Sequence, residues 1–124
     1  MITADTSSLI AFFAGEEAKD TSLLERSLED GVLVLVPPVL SEVLSDPKLP
    51  KQHEKPLKEI YLPIVLEGFW ERVGHLRRKV LSKKRKARLA DALIFQFCLD
   101  YNLSLITRDS DFKNFAKESK LNIL

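Results

Sequence analysis

The sequence predicts an α/β fold, a three-layer α/β/α sandwich around a parallel sheet of about five strands. Three observations carry that expectation. Short apolar runs alternate along the chain with longer stretches of helical periodicity. The run Val32–Val36 is valine-rich and has no polar alternation, as in a strand covered on both faces. From Leu89 to Leu99 the chain is apolar nearly all round, which marks a helix at the centre of the molecule. No repeat, low-complexity tract or long linker interrupts the chain, so residues 1–124 are expected to form a single domain.

Ile2–Ala4 is a short apolar strand, and Asp5-Thr6-Ser7-Ser8 offers capping side chains ahead of Leu9, Ile10, Phe12 and Phe13. A second helix is expected from about Asp20 to Glu29, with Leu23, Leu24 and Leu28 on one face and Gly31 as its stop. After the Val32–Val36 strand, Pro37 and Pro38 open a third helix, since proline is tolerated in a first turn. That helix carries Val39, Leu40, Val43 and Leu44 and ends at Asp46-Pro47. Lys48–Lys58 reads as a polar, proline-punctuated loop with room for a helical turn. Ile60–Leu66 reads as a strand that Pro63 confines to a sheet edge. Phe69, Trp70, Val73, Leu76, Val80 and Leu81 recur at helical spacing, and the buried helix from Leu89 ends at Asn102. Leu103–Thr107 is a further strand, Asp109-Ser110-Asp111 caps a helix with Phe112 and Phe115, and Leu121–Leu124 is a short last strand.

Composition narrows the class. With 124 residues, 45% apolar and 30% charged, the chain is long enough to bury a core without staples. No apolar stretch approaches the length of a bilayer span, and no leader opens the chain, so no membrane role is expected. The single cysteine, Cys98, has no partner, which points to a reducing cytoplasm. The formal net charge of +1 is unevenly spread: eight of the twelve residues from Arg77 to Arg88 are basic and none is acidic. Such a band is either a solvated helix end or a place where a polyanion is attracted.

Four carboxylates lie where one element gives way to the next. Asp5 follows the first strand, either as a helix cap or as a site residue. Glu42 lies about one turn into its helix and reads equally as a surface glutamate. Asp91 is more demanding, because the helix around it has little exposed surface to give and an isolated buried carboxylate is strongly disfavoured. Asp109 follows a strand and could cap the next helix, as could Asp111. In a parallel sheet the strand C-termini share one edge, where ligands bind, so the four acids are free to converge. Like charges brought together repel unless a cation neutralises them, and oxygen-only ligands favour Mg²⁺ or Mn²⁺ over zinc. His53 and His75 have no metal-ligand spacing with each other or with Cys98. Ser7 and Thr107 are candidates to orient the carboxylates. No nucleophile elbow, phosphate loop or dinucleotide fingerprint is present.

With these residues in view, MITADTSSLI, VPPVLSEVL and RLADALIFQFCLDYNLSLITRDSDF, at their spacing, resemble the PIN domain, and within it the VapC-type toxin ribonucleases of toxin–antitoxin pairs. The resemblance covers essentially the whole chain, and the D-A-L-I stretch followed by L-I-T-R-D-x-D-F is its most specific part. It implies strand order 3-2-1-4-5 and assigns metal-binding, catalytic acids to Asp5, Glu42, Asp91 and Asp109, with Asp111 as substitute or assistant to Asp109. It also matches the motif hydroxyl to Thr107.

The expected function is therefore a Mg²⁺- or Mn²⁺-dependent endoribonuclease that hydrolyses RNA phosphodiesters, in which the metal activates water for in-line attack. By resemblance it would leave a 5′-phosphate and a 3′-hydroxyl. Lys84, Arg85, Arg88 and Arg108 are candidates to hold the RNA backbone. The rival class is a PIN-like binding module that docks RNA or a protein without cutting. A phospho-acceptor receiver domain fits poorly, since Leu66-Glu67-Gly68 stands where its acceptor aspartate would be. Implied partners are an antitoxin and a second copy of the chain, with Phe12, Phe13, Leu44 and Leu49 as candidate apolar contacts.

Overall fold

A computed structural model describes residues 1–124. The first strand, β1 (Ile2–Ala4), lies at the centre of a parallel sheet between β2 (Leu33–Val34) and β3 (Ser104–Ile106), in the order β2-β1-β3. Ile2 stands opposite Leu33 on one side and Ser104 on the other, and Ala4 stands opposite Ile106. Because β1 is covered on both faces, its one polar side chain needs a partner: Thr3 Oγ1 donates to the Val34 carbonyl at 2.6 Å.

The expected outer strands are not formed as strands. Each leaves a single bridge, Tyr61 to Val34 on one edge and Ile123 to Leu105 on the other. Chain segments therefore succeed one another across the sheet as 61, β2, β1, β3, 123. Pro63 has no N–H to continue the first ladder, and the next residue, Ile64, turns out into solvent at 72% exposure. On the other edge, β3 has only three residues. Ser104 N–H and Ile106 C=O bond toward β1, so Leu105 alone faces outward with both groups, to Asn122 and Leu124.

The helices follow the sequence closely. They are α1 (Thr6–Phe13), α2 (Lys19–Glu29), α3 (Pro37–Leu44), α5 (Phe69–Ser82), α6 (Leu89–Tyr101) and α7 (Phe112–Ala116). One was not anticipated: within 48–58 a 3-10 turn (Lys51–His53) leads into α4 (Glu54–Glu59). Pro56 is the third residue of α4, where no intrahelical N–H is missed, and Leu57 anchors the helix in the core. Asn102, in the left-handed conformation at φ 52°, ends α6 by bonding back to Cys98 and Leu99. Aromatic contacts seat α6 between α5 and α7: Phe97 meets Phe69 at 4.5 Å, and Phe95 stacks on Phe115 at 5.6 Å. Burial pushes the Cys98 thiol up to about 12, so it is a packing residue and not a reactive one. No helix is long and apolar enough to cross a membrane.

Candidate active site

Parallel strands carry their C-termini to the same edge, so Asp5 after β1 and Thr107–Asp109 after β3 emerge side by side. The Asp5 N–H still bonds to the Ile106 carbonyl at 3.0 Å, which sets the two segments in register. Here Asp5, Glu42, Asp91, Asp109 and Arg88 line one cleft of ≈ 280 Å³. All four acids expected from the sequence meet in it.

Asp5 serves both of the roles the sequence left open. It caps α1, accepting the Ser8 N–H on Oδ1 at 3.0 Å, and it lines the cleft while only 3% exposed. Burial pushes its carboxyl above the ordinary range, opposed by hydrogen bonds from Thr107, Ser8 and Ser7. Ser7 Oγ lies 2.9 and 2.8 Å from the two oxygens. Thr107 Oγ1 donates to Oδ2 at 2.6 Å and accepts the Asp109 N–H at 2.9 Å, so one hydroxyl ties two of the acids together.

Asp91 sits in the first turn of α6, where the helix dipole favours an anion. Its Oδ2 is nonetheless buried with no hydrogen-bond partner. Burial, then the Asp109 charge, push its carboxyl up to about 6; Arg88 opposes, and Asp111 and Glu42 add to the rise. One carboxylate oxygen from each of Asp91, Asp109 and Asp111 falls within 4.8 Å of the others. Asp109 and Asp111 are thus not alternatives in space. Asp109 Oδ1 accepts the Asp111 N–H at 2.9 Å, turning the chain into α7, while Asp111 Oδ2 meets Lys86 Nζ at 3.1 Å. Glu42 is exposed on α3, and its Oε1 accepts a 2.6 Å hydrogen bond from Thr6.

The basic residues divide. Arg88, the N-cap residue of α6, faces the cleft, and Lys84 is exposed at φ 58°. Two expected phosphate contacts are committed elsewhere. Arg108 Nε and Nη2 donate to the two Asp20 oxygens at 2.8 and 3.0 Å, and Nη1 donates to Glu16 at 3.1 Å. Arg85 pairs with Glu118 at 2.9 Å. Arg108, forked onto carboxylates, has few donors left for phosphate, whereas Arg85 gives Glu118 a single donor and keeps the rest of its guanidinium. The Arg108 pair holds the Asp20 carboxyl down at about 2. Sequence reasoning missed Thr6, Lys86 and Asp20. Thr6 and Lys86 adjoin singled-out residues and could have been flagged; Asp20 carried no signal beyond a first-turn acid.

The donors around Asp91 are all carboxylate oxygens with one unpartnered oxygen among them, which fits a hard divalent cation. A separate apolar groove of ≈ 320 Å³ lies between α1, α2 and α4, lined by Phe12, Phe13, Leu28, His53, Leu57 and Ile60. Of the apolar contacts expected for a partner, Phe12 and Phe13 line this groove, Leu44 is exposed, and Leu49 packs half-buried on the core.

The family model for the PIN domain matches residues 2–118. No curated protein matches the sequence. Solved structures share the fold: VapBC2 from Rickettsia felis bound to a promoter DNA fragment has a TM-score of 0.74 at 18% identity, over 100% of this chain and 98% of that one. FitAcB from Neisseria gonorrhoeae has 0.70 at 18% identity, over 100% and 96%. A toxin–antitoxin complex from Klebsiella pneumoniae has 0.67 at 24% identity, over 90% of each chain.

Proposed function

The chain belongs to the PIN-domain family, and from that premise we propose that it is a metal-dependent endoribonuclease, the VapC-type toxin of a type II toxin–antitoxin pair. One observation carries the reading: Asp91 has a buried, unpartnered oxygen and stands in a tight group of carboxylates whose mutual repulsion a bound cation would relieve. Asp5, Asp91 and Asp109 are the residues to hold Mg²⁺ or Mn²⁺, with Glu42 on the opposite helix and Asp111 available once Lys86 is displaced. When bound, the ion supplies Lewis-acid charge to the scissile phosphate and acidifies a water. The protein's own part is positioning. Ser7 and Thr107 aim the Asp5 carboxylate, Asp109 is fixed by its Asx turn, and Arg88 supplies a cation at the mouth for a phosphate.

Partners follow from the same reading. The neighbours' toxin–antitoxin assemblies support an antitoxin partner for this chain, and the apolar groove of α1, α2 and α4 is the surface that would receive its apolar segment. A homodimer, a single-domain organisation over residues 1–124 and a cytoplasmic location complete the proposal. The test is cleavage of a mixed RNA pool by the purified chain in Mg²⁺ or Mn²⁺. Cleavage is expected to stop in EDTA and in Asp91→Asn. Full cleavage in EDTA would overturn the metal reading. Metal binding without any cleavage would favour the PIN-like binding module.

A further inference from the structure

Besides Ser7, which lies against both oxygens, each oxygen of the Asp5 carboxylate is held by a group that traces back to one residue outside the cleft. On one side, the Ser8 N–H donates to Asp5 Oδ1 at 3.0 Å, and the Ser8 hydroxyl, fully buried, donates to Asp20 Oδ2 at 2.9 Å. On the other, Thr107 Oγ1 donates to Asp5 Oδ2 at 2.6 Å, and the next residue, Arg108, forks onto both Asp20 oxygens at 2.8 and 3.0 Å. The path Asp5–Ser8–Asp20–Arg108–Thr107–Asp5 is a closed ring of hydrogen bonds and backbone. It joins α1, the start of α2 and the loop after β3, which are otherwise independent in sequence.

We propose that Asp20 and Arg108 are positioning residues that set the Asp5 carboxylate, and through Thr107 the Asp109 backbone, for the cation. The proposal rests on the metal-dependent reading of the cleft. Neither residue touches the site, since Asp20 and Arg108 do not line it. Arg108 nevertheless commits three of its donors, two to Asp20 and one to Glu16. A bidentate arginine fixes both distance and plane, which a single lysine contact would not. Ring closure matters because each hydrogen bond to Asp5 is made by a short side chain or backbone group whose position is set by its neighbour.

The chain supplies its own control. Arg72 forks onto Asp100 at 3.0 and 2.6 Å, a pair of the same chemistry that lines no part of the cleft. The experiment compares Arg108→Ala, Asp20→Ala and Arg72→Ala with the natural chain by two measurements. The first is amide hydrogen exchange at Ser8 and Asp109 in metal-free buffer; the second is Mn²⁺ affinity by electron paramagnetic resonance. Arg108→Ala and Asp20→Ala are expected to speed exchange at both amides and to weaken Mn²⁺ binding about three- to tenfold, below the 10- to 100-fold typical when a group bonded directly to a ligand is removed. Arg72→Ala is expected to leave both unchanged. Unaltered exchange and affinity in Arg108→Ala, or equal changes in Arg72→Ala, would overturn the proposal. If the natural chain binds no Mn²⁺, the nuclease reading falls, and the metal-free exchange still decides whether the ring holds Asp5.

Discussion

Replacing Asp91 by asparagine removes a charge that the fold holds at its own expense, so the variant is expected to be more stable than the natural chain when no metal is present. The Asp91 carboxyl is pushed up to about 6 by burial and by Asp109, against about 4 for a free aspartic acid, and each tenfold change in that equilibrium is about 1.4 kcal/mol. The ionised group therefore costs the metal-free fold at most about 3 kcal/mol. Asp91 is only half-buried, and solvent screening reduces the expected net to about 1–2 kcal/mol. The sign follows from linkage. A folded value above the unfolded one means the penalty is absent below about pH 4, grows between about 4 and 6, and is complete above. Asparagine has nearly the same shape and never ionises, and its amide can donate toward Asp109 or Asp111. In EDTA at pH 7.5, Asp91→Asn is expected to melt about 3–8 °C higher than the natural chain, with the two converging near pH 4. Adding Mn²⁺ should reverse the order, since binding to the native state raises stability by about 2.7 kcal/mol at a hundred times Kd. A variant that in EDTA is equal to or less stable than the natural chain at pH 7.5 would refute the reasoning, as would a difference that ignores pH.

Three further outcomes follow from other contacts. Because Arg108 holds the Asp20 carboxyl down at about 2, that pair stabilises the fold above about pH 4 and loses its contribution as pH falls toward 2. Arg108→Ala should lose about 1 kcal/mol at pH 7 after screening, and urea melts should show the loss shrinking toward pH 2. Phe97, buried against Phe69 at 4.5 Å, leaves a cavity when cut to alanine; urea unfolding should show a loss of about 3–5 kcal/mol, and a loss under 1 kcal/mol would contradict the packing. Arg88 faces the cleft while Arg85 is committed to Glu118. Arg88→Ala should therefore reduce the salt dependence of single-stranded RNA binding by a slope of about 0.7, and Arg85→Ala by distinctly less; equal effects would mean that the ion pair does not withhold Arg85.

Much of the site was legible because it is made from boundary residues. Asp5 stands directly after an apolar strand and Asp109 three residues past the end of another, and Asp91 stands in the first turn of a helix with almost no polar face. The fate of the arginines was not legible: nothing in T-R-D-x-D-F says that Arg108 turns to Asp20, 88 residues away. The three-stranded sheet was missed for a similar reason. Ile60–Leu66 and Leu121–Leu124 have strand composition, yet a ladder also requires a neighbour with outward-facing groups, and β3 offers only those of Leu105.

The sequence by itself determined every helix but α4, the Asp5 cap of α1 and the Asn102 stop of α6, and which acids stand near the ends of elements. Periodicity, capping and the missing proline N–H act over a few residues and are written in the local chain. Tertiary structure alone decided that Asp109 and Asp111 both approach Asp91, that Lys86 rather than Arg108 stands beside them, and that Thr107 clamps Asp5 across 102 residues. Those distances depend on the register of β1 against β3 and on the seating of α6. Only the packed core sets these, because a shift of one residue along either strand would carry the hydroxyl to the other face of the sheet.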